Sequence, residues 1–108
     1  MAAAIVAIYH LQVHFAIRSG GHSPNPLWSS VGPDGILLDL QRLDDIKIST
    51  DNAKISVGPG ARWGNVYESL NASKLAVAGA RDPSVGVGGF LLGGKNNSHS
   101  TGLDLKAD

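Results

Sequence analysis

Apolar positions open the chain as one unbroken block and then break into short alternating segments, so the pattern itself predicts a change of element. Ala2–Leu11 (AAAIVAIYHL) contains no helix breaker and predicts a buried helix, although Met1 gives it neither a capping side chain nor a polar lead-in. Val13–Ile17 (VHFAI) predicts a short strand, too apolar to leave one face fully in water. A loop from Ser19 to Gly35 follows, with prolines at 24, 26 and 33, and its length in a small domain favours contact with a ligand over simple connection.

Ile36–Leu40, Asp45–Ser49 and Lys54–Val57 predict three brief strands, and STDNA at 49–53 supplies hairpin chemistry between the last two, so a meander is expected. Trp63, Val66, Tyr67 and Leu70 recur at helical spacing, which predicts an amphipathic helix packed back on those strands. From Gly79 onward the chain predicts a glycine-rich loop with a short apolar core at Phe90–Leu92. The class is α+β. A helix without a lead-in and a final loop without a closing element predict a piece of something larger.

Composition narrows the functions rather than choosing one. The 108 residues suffice for one small domain, and a formal charge of zero gives no footprint for nucleic acid. No apolar run reaches the roughly 18 residues that a membrane span needs, and no basic residue precedes the apolar N-terminus as in a secretory signal. Without cysteine there is no disulfide framework and no thiolate metal site, the redox compartment cannot be read, and any redox chemistry must come from a cofactor. Of the 14 glycines, those at 79, 86, 88, 89, 93 and 94 are clustered, which marks specialised backbone rather than disorder.

Gly20 and Gly21, placed just after a strand, can turn successive backbone N–H groups toward one point and so bind an anion such as a pyrophosphate; equally, the pair can simply make a turn. Arg18 beside them can add a charge-assisted contact to phosphate or cap the strand end. Gly86, Gly88, Gly89, Gly93 and Gly94 form a second surface stripped of Cβ atoms. GFLLGGKN at 89–96 approaches the phosphate loop of nucleoside triphosphatases, yet Asn96 replaces the magnesium-binding hydroxyl, Phe-Leu-Leu fills the loop and no strand leads in. No G-x-G-x-x-G is present, so a Rossmann site is not supported.

His10, His14, His22 and His99 lack metal-ligand spacing, and no metal site is expected. His10 is expected to be partly exposed and His14 buried. His22 stands among small neighbours beside the first glycine pair, where it could hydrogen-bond a ligand or attack an electrophilic cofactor.

FAIRSGGHSP, ILLDLQRLDDIKIS, ISVGPGARWGNVYESL and VAGARDPSVGVGGFLLGG, in this order and spacing, resemble the FAD-binding (PCMH-type) domain of the vanillyl-alcohol oxidase and p-cresol methylhydroxylase flavoproteins. The resemblance is to their berberine-bridge-enzyme-like and 6-hydroxynicotine-oxidase-like branch, and it runs from Val13 to Gly94. It implies that Arg18, Ser19, Gly20, Gly21 and Ser23 belong to a loop cradling the FAD pyrophosphate, with His22 bonded covalently to the flavin 8α-methyl. It implies a second FAD-contacting loop at Ser84, Val85, Gly86, Gly88 and Gly89. Asp82 occupies the position of the cysteine that bicovalent relatives carry, so a second linkage there is not expected. Lys95 replaces the third glycine of the usual GGG, and Tyr9 and Tyr67 match no catalytic tyrosine.

The resemblance therefore implies residues 1–108 as a partial FAD-binding domain, without the substrate domain or an assignable catalytic residue. Intact relatives imply an oxidase that takes hydride from an alcohol, sugar or amine carbon onto FAD and passes the electrons to dioxygen, with a small-molecule substrate and neither nucleic acid nor membrane as partner. The alternative is a non-catalytic fragment that binds no flavin on its own. Sequons at Asn71 and Asn96 match the secretion of many relatives, but no signal peptide accompanies them.

Overall fold

The computed structural model of the chain describes residues 1–93. Gly94, Lys95, the Asn96 sequon and His99 lie outside the described residues. Helix α1 (Ala2–Leu11) ends where Gln12 enters the left-handed region at φ 51° and returns both its backbone and side-chain N–H groups to the Tyr9 carbonyl. Only Ile8 of this helix is buried, which corrects the expectation of a buried helix. A helix apolar all round needs cover on several sides, and the described chain covers only one. Val6, Tyr9 and Leu11 stay exposed.

Strand β1 (Phe15–Arg18) pairs in parallel with β2 (Ile36–Asp39), Phe15 opposite Ile36 and Arg18 opposite Asp39. Strands β3 (Ile46–Ile48) and β4 (Ile55–Val57) make a separate antiparallel hairpin. The expected meander is therefore wrong at its first link: β2 joins β1 rather than β3. ILLD is a continuous, evenly half-buried run, the pattern of a parallel strand, whereas Ile46, Ile48, Ile55 and Val57 alternate with exposed Lys47 and Ser56. The β3–β4 turn is held by Asp51, whose carboxylate accepts from the Ser49 hydroxyl at 2.5 Å and the Ala53 N–H at 3.1 Å. One face of β1 does meet solvent, contrary to expectation, with Phe15 and Ile17 exposed.

Helix α2 (Trp63–Ala72) buries Trp63, Val66 and Leu70, the residues its period selects. They form the core with Ala61, Ala80 and Val87, and the half-buried Ile46, Ile48, Ile55 and Val57 of the hairpin pack against it, as expected. No side chain caps α2; instead the Trp63 N–H donates to the Val85 carbonyl at 3.0 Å and the Gly64 N–H to the Pro83 carbonyl at 2.9 Å. The orphan donors of a helix end thus hold the second glycine segment in place.

That segment is not all loop. Residues Val87–Gly93 form a third helix, α3, where an irregular stretch was expected. Val87, Phe90 and Leu91 share one face against the core, and the Phe90 ring meets Trp63 edge-on at 5.3 Å. Tertiary packing here outweighs the poor helix propensity of three glycines. No helix among the described residues is long and apolar enough to cross a membrane.

Candidate functional site

The loop leaving β1 and the loop entering α3 come together, although they are distant in sequence. Arg62 and Gly86 form an isolated antiparallel bridge, and the Val87 N–H donates to the Ala61 carbonyl at 2.9 Å. The Arg62 guanidinium also donates to the Ser84 carbonyl. Against this edge lies the first loop. A Cβ on Gly20 would stand 2.5 Å from the Gly86 nitrogen and 2.7 Å from its Cα, so only glycine permits the approach. Gly21, at φ 65°, then turns the chain beneath the Arg18 side chain.

The two loops border a cavity of about 660 Å³, within the range of ligand pockets. Arg18, Ser19, Gly20, Gly21, His22 and Ser23 all line it, as do Val85, Gly86 and Gly89 from the second segment. Among the described residues no acceptor takes the backbone N–H groups of Gly20, Gly21, His22 or Ser23. Gly89 has open space where a Cβ would go. Gly88 is different: it faces Ser19 and the Pro59 carbonyl, where it allows close packing under the first loop. The Ser19 hydroxyl donates to that same carbonyl at 2.5 Å.

Charge is arranged unevenly. Arg18 is tied to Asp39, its Nη2 and Nε donating to Oδ2 at 2.5 and 3.2 Å across the parallel strands. This pairing and the Gln41 N–H hold the Asp39 carboxyl below the usual aspartate range. Arg81, which the sequence did not single out, also lines the cavity and has no ion pair among the described residues. Trp28, 77% exposed, reaches the same cavity from the proline-rich loop. Trp28 carried no motif and Arg81 had no role assigned within VAGARDPSVGVGG; the meeting of the loops reveals both.

His22 is exposed, and its Nε2 lies 3.0 Å from the Ser84 hydroxyl and 3.5 Å from Asp82 Oδ2. Asp82 in turn accepts from the Ser84 hydroxyl at 2.6 Å and the Ser84 N–H at 2.8 Å. These two bonds, led by the hydroxyl, hold the Asp82 carboxyl low, with nearby His22 adding to the effect. His14, expected to be buried, is exposed beside β1. Its place is the residue before the strand, where the side chain has no core to enter.

An N–H-rich cradle walled by two close-packed glycine loops fits a diphosphate dinucleotide, since it supplies donors without occupying the space. Residues 1–104 match the family model described as FAD binding domain, and the chain belongs to that family. It is 52% identical over 84 residues to the FAD-dependent monooxygenase yanF of Aspergillus niger, covering 78% of this chain and 14% of that protein. Among solved structures, it is similar to berberine bridge enzyme bound to (S)-reticuline, with TM-score 0.77 and 29% identity over 86% of this chain and 19% of that one. It is also similar to 6-hydroxy-D-nicotine oxidase of Arthrobacter nicotinovorans, with TM-score 0.68 and 28% identity over 81% of this chain and 18% of that one. The chain spans a fifth or less of the length of the curated relatives it matches.

Proposed function

We propose that Gly20, Gly21, His22 and Ser23 bind the FAD pyrophosphate through their backbone N–H groups, and that His22 is bonded to the flavin 8α carbon. The observation that carries this reading is the run of N–H groups without an acceptor among the described residues, on the wall of a cavity that His22 also lines. Ser19 holds the loop down through Pro59, while Gly86 and Gly89 keep the opposite wall free of side chains. Val85 and Gly88 support that wall from the core side. Arg81 supplies positive charge to the phosphates, while Arg18, neutralised by Asp39, mainly anchors the loop to the strand end.

Bound FAD would supply two-electron redox chemistry, which these side chains do not have. Forming the tether would exchange an 8α C–H for a C–N bond, with that proton, the imidazole N–H proton and two electrons passing to dioxygen as hydrogen peroxide. For the whole protein we infer a flavin-dependent oxidoreductase that hands substrate electrons to dioxygen, from an alcohol, sugar or amine carbon if it works as an oxidase. The curated relatives named as monooxygenases and the neighbour named as an oxidase both support the transfer to dioxygen.

The exposed apolar faces of α1 and β1, at Val6, Tyr9, Phe15 and Ile17, favour a second reading, a chain that needs further covering before it holds flavin. Equilibrium titration separates the two. FAD and ADP should bind while riboflavin, without a pyrophosphate, binds at least tenfold more weakly, since the charged hydrogen bonds at stake are each worth about 1.5–3 kcal/mol. Equal affinity for FAD and riboflavin would contradict the pyrophosphate cradle, and no binding of FAD by the folded chain would favour the second reading.

A further inference from the structure

Asp82, on the cavity wall, and Ser84 beside it both reach His22. The Ser84 hydroxyl has one proton, and its 2.6 Å approach to an ionised carboxylate oxygen requires that proton to point at Asp82. At 3.0 Å from the imidazole, the same oxygen is then left to accept. His22 Nε2 is therefore the donor, and the lone pair of the neutral ring sits on Nδ1. The Ser84 backbone N–H donates to the same Asp82 oxygen, Oδ1, and Asp82 Oδ2 stands 3.5 Å from Nε2.

We propose that Asp82 and Ser84 are positioning residues that hold His22 with its proton on Nε2 and its lone pair on Nδ1, so that Nδ1 forms the bond to the flavin. As that bond forms, the imidazole becomes positively charged, and the Asp82 carboxylate stabilises the charge across Ser84. The proton then shed from Nε2 leaves along the same contact toward Ser84 and Asp82. The electron pair, this proton and the proton lost from the 8α carbon would pass to dioxygen as hydrogen peroxide, so the ring, the carboxylate and the hydroxyl would end unchanged in charge. This inference rests on the tether reading for its chemistry, but not for the tautomer.

Two measurements on the full chain test it. Covalent attachment, followed as flavin retained after acid precipitation, should slow on the order of a hundredfold in Asp82→Ala and Ser84→Ala, as when a general base is lost. Reversible FAD affinity and melting temperature should fall far less than the attachment rate, and Ser84→Thr, which keeps the hydroxyl, should restore the rate. Without FAD, the ring-nitrogen shifts of neutral His22 should show Nε2–H alone in wild type and mixed tautomers in Ser84→Ala. Attachment at the wild-type rate in both alanine variants, or ring-nitrogen shifts that do not change, would overturn the relay. A wild-type chain that binds FAD but never attaches it overturns the tether reading instead, and the nitrogen spectra then decide the relay alone.

Discussion

Gly20 and Gly86 lie backbone against backbone: a Cβ built on either residue falls 2.7 Å from the Cα of the other. Two loops that are remote in sequence can share one cavity wall only because both residues lack a side chain. Gly20→Ala or Gly86→Ala should therefore force the loops apart, at the roughly 1–3 kcal/mol typical of overpacking. Gly89→Ala is the contrast, because its Cβ meets nothing within 4 Å and it sits inside a helix. It should leave the fold as stable or more so, by about 0.5–1 kcal/mol, yet weaken FAD binding by intruding on the cavity. Chemical denaturation and FAD titration of the three variants check both halves.

The Arg18–Asp39 pair carries a pH signature. Because Arg18 first, and then the Gln41 N–H, lower the folded-state pKa of Asp39, its contribution is whole above the unfolded value, about 3.9. It is lost as pH falls from there through the lower folded value. Asp51, held down by the Ser49 hydroxyl, and Asp82, held down by that of Ser84, act in the same direction. Asp39→Asn should flatten part of the acid limb of the stability curve and leave the limb above pH 5 parallel to wild type. Melting temperature against pH for the two chains reads this directly.

Tyr67 ties helix α2 to the cavity from behind. Its hydroxyl donates to the Ala80 carbonyl at 2.6 Å, and burial pushes the phenol above its ordinary pKa. Tyr67→Phe removes the donor and keeps the ring, so it should cost about 0.5–1.5 kcal/mol. Because Ala80 and Arg81 line the cavity, FAD affinity should fall as well. Leu70→Ala, by comparison, opens the core itself and should cost about 2–5 kcal/mol.

Helix α2 was legible because Trp63, Val66 and Leu70 keep the helical period and no competing signal intervenes. The β3–β4 hairpin was equally plain, with Ser49 and Asp51 supplying local turn chemistry. Its neighbour was not: the pairing of β2 with β1 is a long-range choice that no local turn signals, so the nearby hairpin made a meander look economical. Helix α3 was hidden by its glycines, since what stabilises it is the contact of Phe90 with Trp63 rather than propensity. Both glycine loops and His22 stood out as unusual local chemistry. The pairing of His22 with Ser84 did not, because Ser84 lies 62 residues away and is brought near by the bonds that tie Arg62 and the start of α2 to Pro83, Ser84 and Val85.

The central claim is that His22 lies where the first loop delivers FAD for covalent capture. Intact-mass spectrometry of the chain after incubation with FAD and air, under denaturing conditions, tests it most directly. A mass gain of one FAD is expected, mapped to the peptide containing His22 and abolished in His22→Ala. An unmodified wild-type chain that nevertheless binds FAD, or a flavin mapped to another residue, would contradict it.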